Sequence, residues 1–119
     1  MKKILIVEDE ELLLDAFSSA LKKRNYDVVG ISNGKDAIDY VKDNSVDLII
    51  LDIKLPDMSG LEVLENIRKL LPNVPIIMCT AYDSFKTDYQ IWANKVSDYV
   101  VKPIVLEDIE EKIRKIFSK

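Results

Sequence analysis

Five short apolar runs, rich in β-branched residues, recur along the chain at residues 4–7, 28–31, 48–51, 74–79 and 99–101. Each is too short for a helix and lacks the polar alternation of a half-buried strand. Each therefore reads as a strand apolar on both faces, the kind found inside a parallel sheet. The stretches between them carry apolar residues three and four apart, which predicts helices. The stripes are Leu13, Ala16, Phe17, Ala20 and Leu21; then Ala37, Ile38 and Val41; then Leu61, Leu64, Ile67 and Leu71. Phe85, Tyr89, Trp92 and Val96 form a fourth, and Leu106, Ile109, Ile113, Ile116 and Phe117 a fifth. Ser59-Gly60-Leu61-Glu62 reads as a capping box opening the third helix. Asn33-Gly34 marks the start of the second, and Pro72 with Pro75 stops the third before the fourth strand. A strand–helix unit repeated five times predicts an α/β fold: a five-stranded parallel sheet, doubly wound, with right-handed crossovers. We expect one domain filling residues 1–119, with no linker and no effector domain after the fifth helix.

Composition narrows the function. Lysine plus arginine is 17 and aspartate plus glutamate 21, a formal net charge of −4. That mild acidity gives no support for direct binding to nucleic acid or a membrane surface, both of which need concentrated positive charge. The apolar runs fall far short of the roughly 20 residues that span a bilayer. Met1-Lys2-Lys3 leads into only four apolar residues before Glu8, too few for a signal-peptide core. Cys79 is the single cysteine, so no internal disulfide forms, which fits a reducing, cytoplasmic setting. Histidine is absent, which removes histidine-based triads, metal sites and acid–base catalysis.

In open parallel sheets the functional groups gather beyond the carboxyl ends of the strands. Here strand one ends in Glu8-Asp9, strand three in Asp52, strand four in Thr80 and strand five in Lys102-Pro103. Three carboxylates, one hydroxyl and one ammonium thus converge on one rim. Clustered carboxylates repel one another unless a cation neutralises them. An all-oxygen set suits a hard ion such as Mg²⁺, and no soft ligand favours zinc or copper. A carboxylate can also act as a nucleophile toward phosphorus, with Mg²⁺ and a lysine balancing charge on the phosphoryl oxygens.

At these residues the sequence resembles the CheY-like receiver domains of two-component response regulators. The resemblance spans the chain and is carried by Ile4-Leu5-Ile6-Val7-Glu8-Asp9-Glu10, by Asp47 through Gly60, by Thr80-Ala81 and by Asp98-Tyr99-Val100-Val101-Lys102-Pro103. It implies a flavodoxin-like (βα)5 fold with strand order 2-1-3-4-5. It implies Asp52 as phosphoacceptor, with Mg²⁺ held by Glu8, Asp9, Asp52 and the backbone carbonyl of Lys54. Thr80 and Lys102 would contact the phosphoryl group, Tyr99 would be the switch residue, and a cis peptide would precede Pro103. The implied partners are a histidine kinase or histidine phosphotransfer protein and a downstream protein target, met by a monomer or weak dimer. The segment Asn94-Lys95-Val96-Ser97 departs from the Gly-Ala usual before the Asp-Tyr of strand five. A looser loop and a shorter or shifted fourth helix are expected there. Tyr82 and Lys54 occupy positions that tune phosphoryl lifetime in the family.

Plainer roles stand beside these. Glu8-Asp9-Glu10-Glu11 is also an acidic helix start favoured by the helix dipole. Thr80 also suits an ordinary strand, and Lys102 a solvated loop. Cys79 reads as a small core residue, Lys22-Lys23-Arg24 as decoration of the first helix's negative end, and Trp92 and Phe85 as packing. Within the receiver reading, a stand-alone regulator, a phosphorelay intermediate and the receiver part of a larger transcriptional regulator all remain open. An enzyme is not expected beyond self-directed phosphotransfer and autodephosphorylation. A Mg²⁺-dependent phosphohydrolase with an aspartyl nucleophile needs a second aspartate where Lys54 stands, and a cap domain. A flavin carrier needs a phosphate loop after strand one, where Glu8 to Glu11 repel phosphate.

Overall fold

The apolar runs form five parallel strands: β1 (Lys3–Val7), β2 (Asp27–Ile31), β3 (Leu48–Leu51), β4 (Ile76–Thr80) and β5 (Asp98–Val101). The helices are α1 (Glu11–Lys22), α2 (Gly34–Asp43), α3 (Gly60–Leu70), α4 (Tyr89–Ala93) and α5 (Leu106–Phe117). This computed structural model describes residues 1–81 and 89–118, with the backbone alone at Tyr89 and Gln90. The strands lie in one sheet in the order β2-β1-β3-β4-β5, every neighbouring pair parallel. Fold class and strand order are those expected from the sequence.

Side-chain parity divides the core in two, because successive residues of a strand point to opposite faces. Leu5, Val7, Ile49, Leu51, Ile76 and Met78 face α2, α3 and α4 through Ala37, Val41, Leu64, Ile67 and Ile91. Ile4, Ile6, Leu48, Ile50, Ile77 and Cys79 face α1 and α5 through Phe17, Leu21, Ile109 and Ile113. Burial of Cys79 pushes its thiol up to about 12, the behaviour of a core residue.

Four local expectations are amended. In α1 the buried stripe runs through Leu13, Leu14, Phe17 and Leu21, while Ala16 faces solvent. Leu14 takes the inward place because it fills the space left by Gly30, where an added Cβ would lie 2.9 Å from Leu14 Cδ1. At α3 the Ser59 hydroxyl caps Leu61 N–H at 3.1 Å rather than the amide of Glu62, and the backbone at Ser59 bridges antiparallel to Lys54. In the fourth helical segment Ile91 is the residue turned to the sheet and Trp92 is 43% exposed, so the expected packing role passes to Ile91. Phe85 and Tyr82 lie outside the described residues, as does the side chain of Tyr89. Finally, the loop after α4 is tied down. Lys95 adopts the left-handed conformation (φ 60°). Arg68 of α3 donates to Asn94 O at 2.7 Å, Lys95 O at 3.2 Å, Leu71 O at 3.0 Å and Val74 O at 2.6 Å. One guanidinium thus ties the Asn94-Lys95 turn to the segment between α3 and β4.

Candidate functional site

Strand register builds the site. Val7 of β1 pairs with Leu51 of β3, so the residues that follow, Glu8 and Asp52, emerge side by side at the same rim. Backbone bonds extend the ladder one step beyond the strands: Glu8 N–H donates to Ile31 O at 3.0 Å, Asp52 N–H to Val7 O at 3.1 Å, and Lys102 N–H to Thr80 O at 2.8 Å. Residue positions at the rim are therefore fixed by sheet hydrogen bonding rather than by loops.

Lys102 lies at the centre. Its Nζ is 2.7 Å from Glu8 Oε1, 3.2 Å from Asp52 Oδ2 and 3.2 Å from Glu10 Oε1. Glu8 is 3% exposed and Asp52 5%, so both carboxylates are buried beside the Lys102 ammonium. Asp52 Oδ1 accepts from Lys54 N–H at 3.2 Å, and Glu8 Oε2 accepts from Glu10 N–H at 3.1 Å. Carboxylate oxygens of Glu8, Asp9 and Asp52 come within 4.8 Å of one another. A cleft of about 250 Å³ opens there, lined by Asp9, Glu10, Asp52, Lys54, Thr80, Ala81 and Lys102.

The electrostatics follow from the crowding. Burial, and next the Asp52 charge, push the Glu8 carboxyl up to about 7, against the pull of Lys102. Burial also works against the Lys102 ammonium, yet Glu8, Asp52 and Glu10 outweigh it and hold its pKa well above the ordinary lysine range. One ammonium among these acids leaves the cleft acidic, and its donor set is entirely oxygen. Such a set fits a hard divalent cation, which would relieve the strain on Glu8. Thr80 Oγ1 is fully buried and has no hydrogen-bond partner among the described residues. A buried hydroxyl left unmatched costs free energy until a ligand reaches it.

Glu8, Asp9, Asp52, Lys54, Thr80 and Lys102, the residues singled out in the sequence, are thus brought together around one cleft. Tyr99 is not part of it. It lies 5% exposed within the apolar cluster containing Met78, Ile91 and Val96. Two further residues were read in the sequence only as members of longer motifs. Glu10 joins the Lys102 ion-pair set, and Asp57 reaches away from the cleft to the start of α2. The peptide between Lys102 and Pro103 is cis, as the resemblance implies. Arg24, in the basic cluster after α1, pairs with Glu110 of α5 at 3.0 Å rather than only decorating the helix end. A larger hollow of about 550 Å³ beside β2 and α2 is lined by Ser32, Asn33, Asp36, Asp39 and Tyr40, with no lysine or arginine among the described residues that line it.

Comparison with known proteins agrees with this geometry. Residues 4–114 match the model of the response regulator receiver domain. The response regulator protein VraR of Staphylococcus saprophyticus is 36% identical over 118 residues, covering 98% of this chain and 56% of that one. A CheY-like receiver domain from Methanospirillum hungatei superimposes with a TM-score of 0.93 at 33% identity, covering 99% of this chain and 95% of that one. The response regulator TrrA of Thermotoga maritima, solved in complex with Mg²⁺ and BeF, gives a TM-score of 0.90 at 36% identity, covering 98% and 99%. The chain spans about half the length of the curated relatives it matches. Among the described residues no helix is long and apolar enough to cross a membrane.

Proposed function

This chain belongs to the response regulator receiver domain family, and on that premise we propose that it receives a phosphoryl group on Asp52 from a partner phosphohistidine. The observation that carries the proposal is the juxtaposition of Asp52 with Lys102 at 3.2 Å and with the Thr80 hydroxyl, which has no hydrogen-bond partner among the described residues, in one cleft. An Asp52 carboxylate oxygen forms a bond to phosphorus as the phosphorus–nitrogen bond of the donor breaks, and the imidazole leaves. Lys102 then pairs with a phosphoryl oxygen, and Thr80 donates its hydroxyl to another. Glu8, Asp9, Asp52 and the Lys54 carbonyl would hold Mg²⁺, which when bound supplies positive charge to the phosphoryl oxygens. Because Lys102 is anchored by Glu8, its ammonium is already aimed at Asp52 before any donor arrives.

The signal leaves through β4 and β5. Thr80 pairs with Val101 and Met78 with Tyr99, all four on one face of the sheet. Drawing Thr80 toward a phosphoryl oxygen therefore alters packing around Tyr99, and the surface of α4, β5 and α5 presents the change to a downstream protein. Since Tyr99 is already inside, the switch operates as a repacking of a buried ring rather than as a swing inward from solvent. The partners are a histidine kinase or phosphotransfer protein and an effector, in the cytoplasm.

Incubation with acetyl phosphate and Mg²⁺ should add one alkali-labile phosphate to the chain, none with EDTA and none to Asp52→Asn. One equivalent of label on Asp52→Asn would refute the assignment.

A further inference from the structure

The carboxylate of Asp57, at the tip of the loop between β3 and α3, reaches across to another element. Its Oδ1 accepts from Gly34 N–H at 2.8 Å and its Oδ2 from Lys35 N–H at 2.9 Å, the first amides of α2. These are donors that a helix cannot satisfy internally, and here the cap comes from 23 residues away. The approach is close because Gly34 has no side chain. A Cβ there would lie 2.5 Å from Met58 Cγ and 2.6 Å from Val63 Cγ2. The base of the same loop is the cleft itself. Lys54 N–H donates to Asp52 Oδ1, Lys54 bridges antiparallel to Ser59, and Gly60 N–H donates to Ile53 O at 2.6 Å. Lys54 is thus held on one side by the phosphoacceptor and on the other by a short loop whose tip is fastened to α2.

We propose that Asp57 is a positioning residue that fixes the Lys54 carbonyl for the divalent cation and makes the start of α2 respond when that cation binds. This inference rests on the cation site assigned above. Without the two bonds from Asp57, the loop tip is free to tilt and Lys54 is held less firmly beside Asp52. Groups that orient a metal ligand from one step away commonly govern affinity by 10–100-fold. Asparagine keeps one acceptor oxygen and loses the charge, whereas alanine loses both bonds, so the pair separates positioning from simple electrostatic attraction.

The test is calorimetric titration of MgCl₂ into the full chain, with Asp57→Ala, Asp57→Asn and, as a charge control on α2, Asp39→Asn. Asp57→Ala should weaken Mg²⁺ about tenfold or more. Asp57→Asn should keep most of the affinity, and Asp39→Asn should match the wild type. The amide signals of Gly34 and Lys35 should move on adding Mg²⁺ to the wild type. Affinity within twofold of wild type in Asp57→Ala, or equal losses in alanine and asparagine variants, overturns the inference. Should Asp57→Ala fail to fold, unmoved Gly34 and Lys35 amides in the wild type overturn it instead. Absence of Mg²⁺ binding by the wild type would refute the cation site, a distinguishable result.

Discussion

Replacing Glu8 by glutamine should stabilise the metal-free protein at neutral and alkaline pH while changing little in acid. Burial and the nearby Asp52 charge raise the Glu8 carboxyl from 4.5 to about 7. Between those values the folded protein binds a proton that the unfolded chain does not, so stability falls as pH rises. The stabilisation from the neutral form is complete below pH 4.5 and lost as pH climbs through about 7. At about 1.4 kcal/mol per pH unit the loss reaches roughly 3 kcal/mol, and the water-facing cleft reduces it to about 1–3 kcal/mol. Glutamine stays neutral at every pH and retains an oxygen for the Lys102 ammonium, now 2.7 Å from Glu8 Oε1. Urea unfolding in EDTA at pH 4.5, 6 and 8 measures the difference directly. Glu8→Gln should exceed the wild type by about 1–3 kcal/mol at pH 8, and by no more than a few tenths near pH 4.5. Saturating Mg²⁺ should narrow the pH 8 gap by stabilising the wild type more. A gap that is independent of pH, or that reverses at pH 8, would show that crowding at Glu8 does not set the charge balance.

Three further substitutions probe the frame. Gly60→Ala places a Cβ 2.1 Å from the Asp52 carbonyl oxygen and 2.5 Å from Ile53 Cα, both backbone. It should cost about 2–4 kcal/mol by urea midpoint and slow phosphorylation, and an unchanged midpoint would contradict the close approach. Arg68→Met removes the donor to the carbonyls of Leu71, Val74, Asn94 and Lys95. About 2–4 kcal/mol should be lost, with faster amide exchange at residues 94–97, and protected amides there would refute the clamp. Lys95→Gly relieves a left-handed lysine at φ 60° and should gain about 0.5–1 kcal/mol, a loss being the contrary result.

Much of this site was legible in the sequence because a parallel sheet aligns the carboxyl ends of its strands. Once residues 4–7 and 48–51 are read as strands, Glu8 and Asp52 must share a rim, whatever the loops do. Thr80 and Lys102 follow by the same geometry. What was not legible depends on chain reversals. Asp57 acts on amides 22 and 23 residues away, and only the loop's path brings them together. Glu10 lies one turn beyond a strand end, where direction depends on how α1 leaves the sheet. Arg68 looked like an ordinary basic residue near a helix end, because its four acceptors are backbone atoms that sequence does not distinguish. Periodicity likewise could not separate Leu14 from Ala16. The gap above Gly30 made that choice.

Lys102 follows β5, an edge strand of four residues paired on one side only, whereas Glu8 and Asp52 follow the interior strands β1 and β3, each paired on both sides. Acid and base in the cleft thus belong to regions of unequal tenacity, since sheet edges open at lower free energy than centres. A transient detachment of β5 would withdraw the ammonium and leave the acids in place, briefly raising the negative potential of the cleft. Exchange at the amides of β5, followed against added salt, would register those openings as fluctuations of local charge as well as of shape.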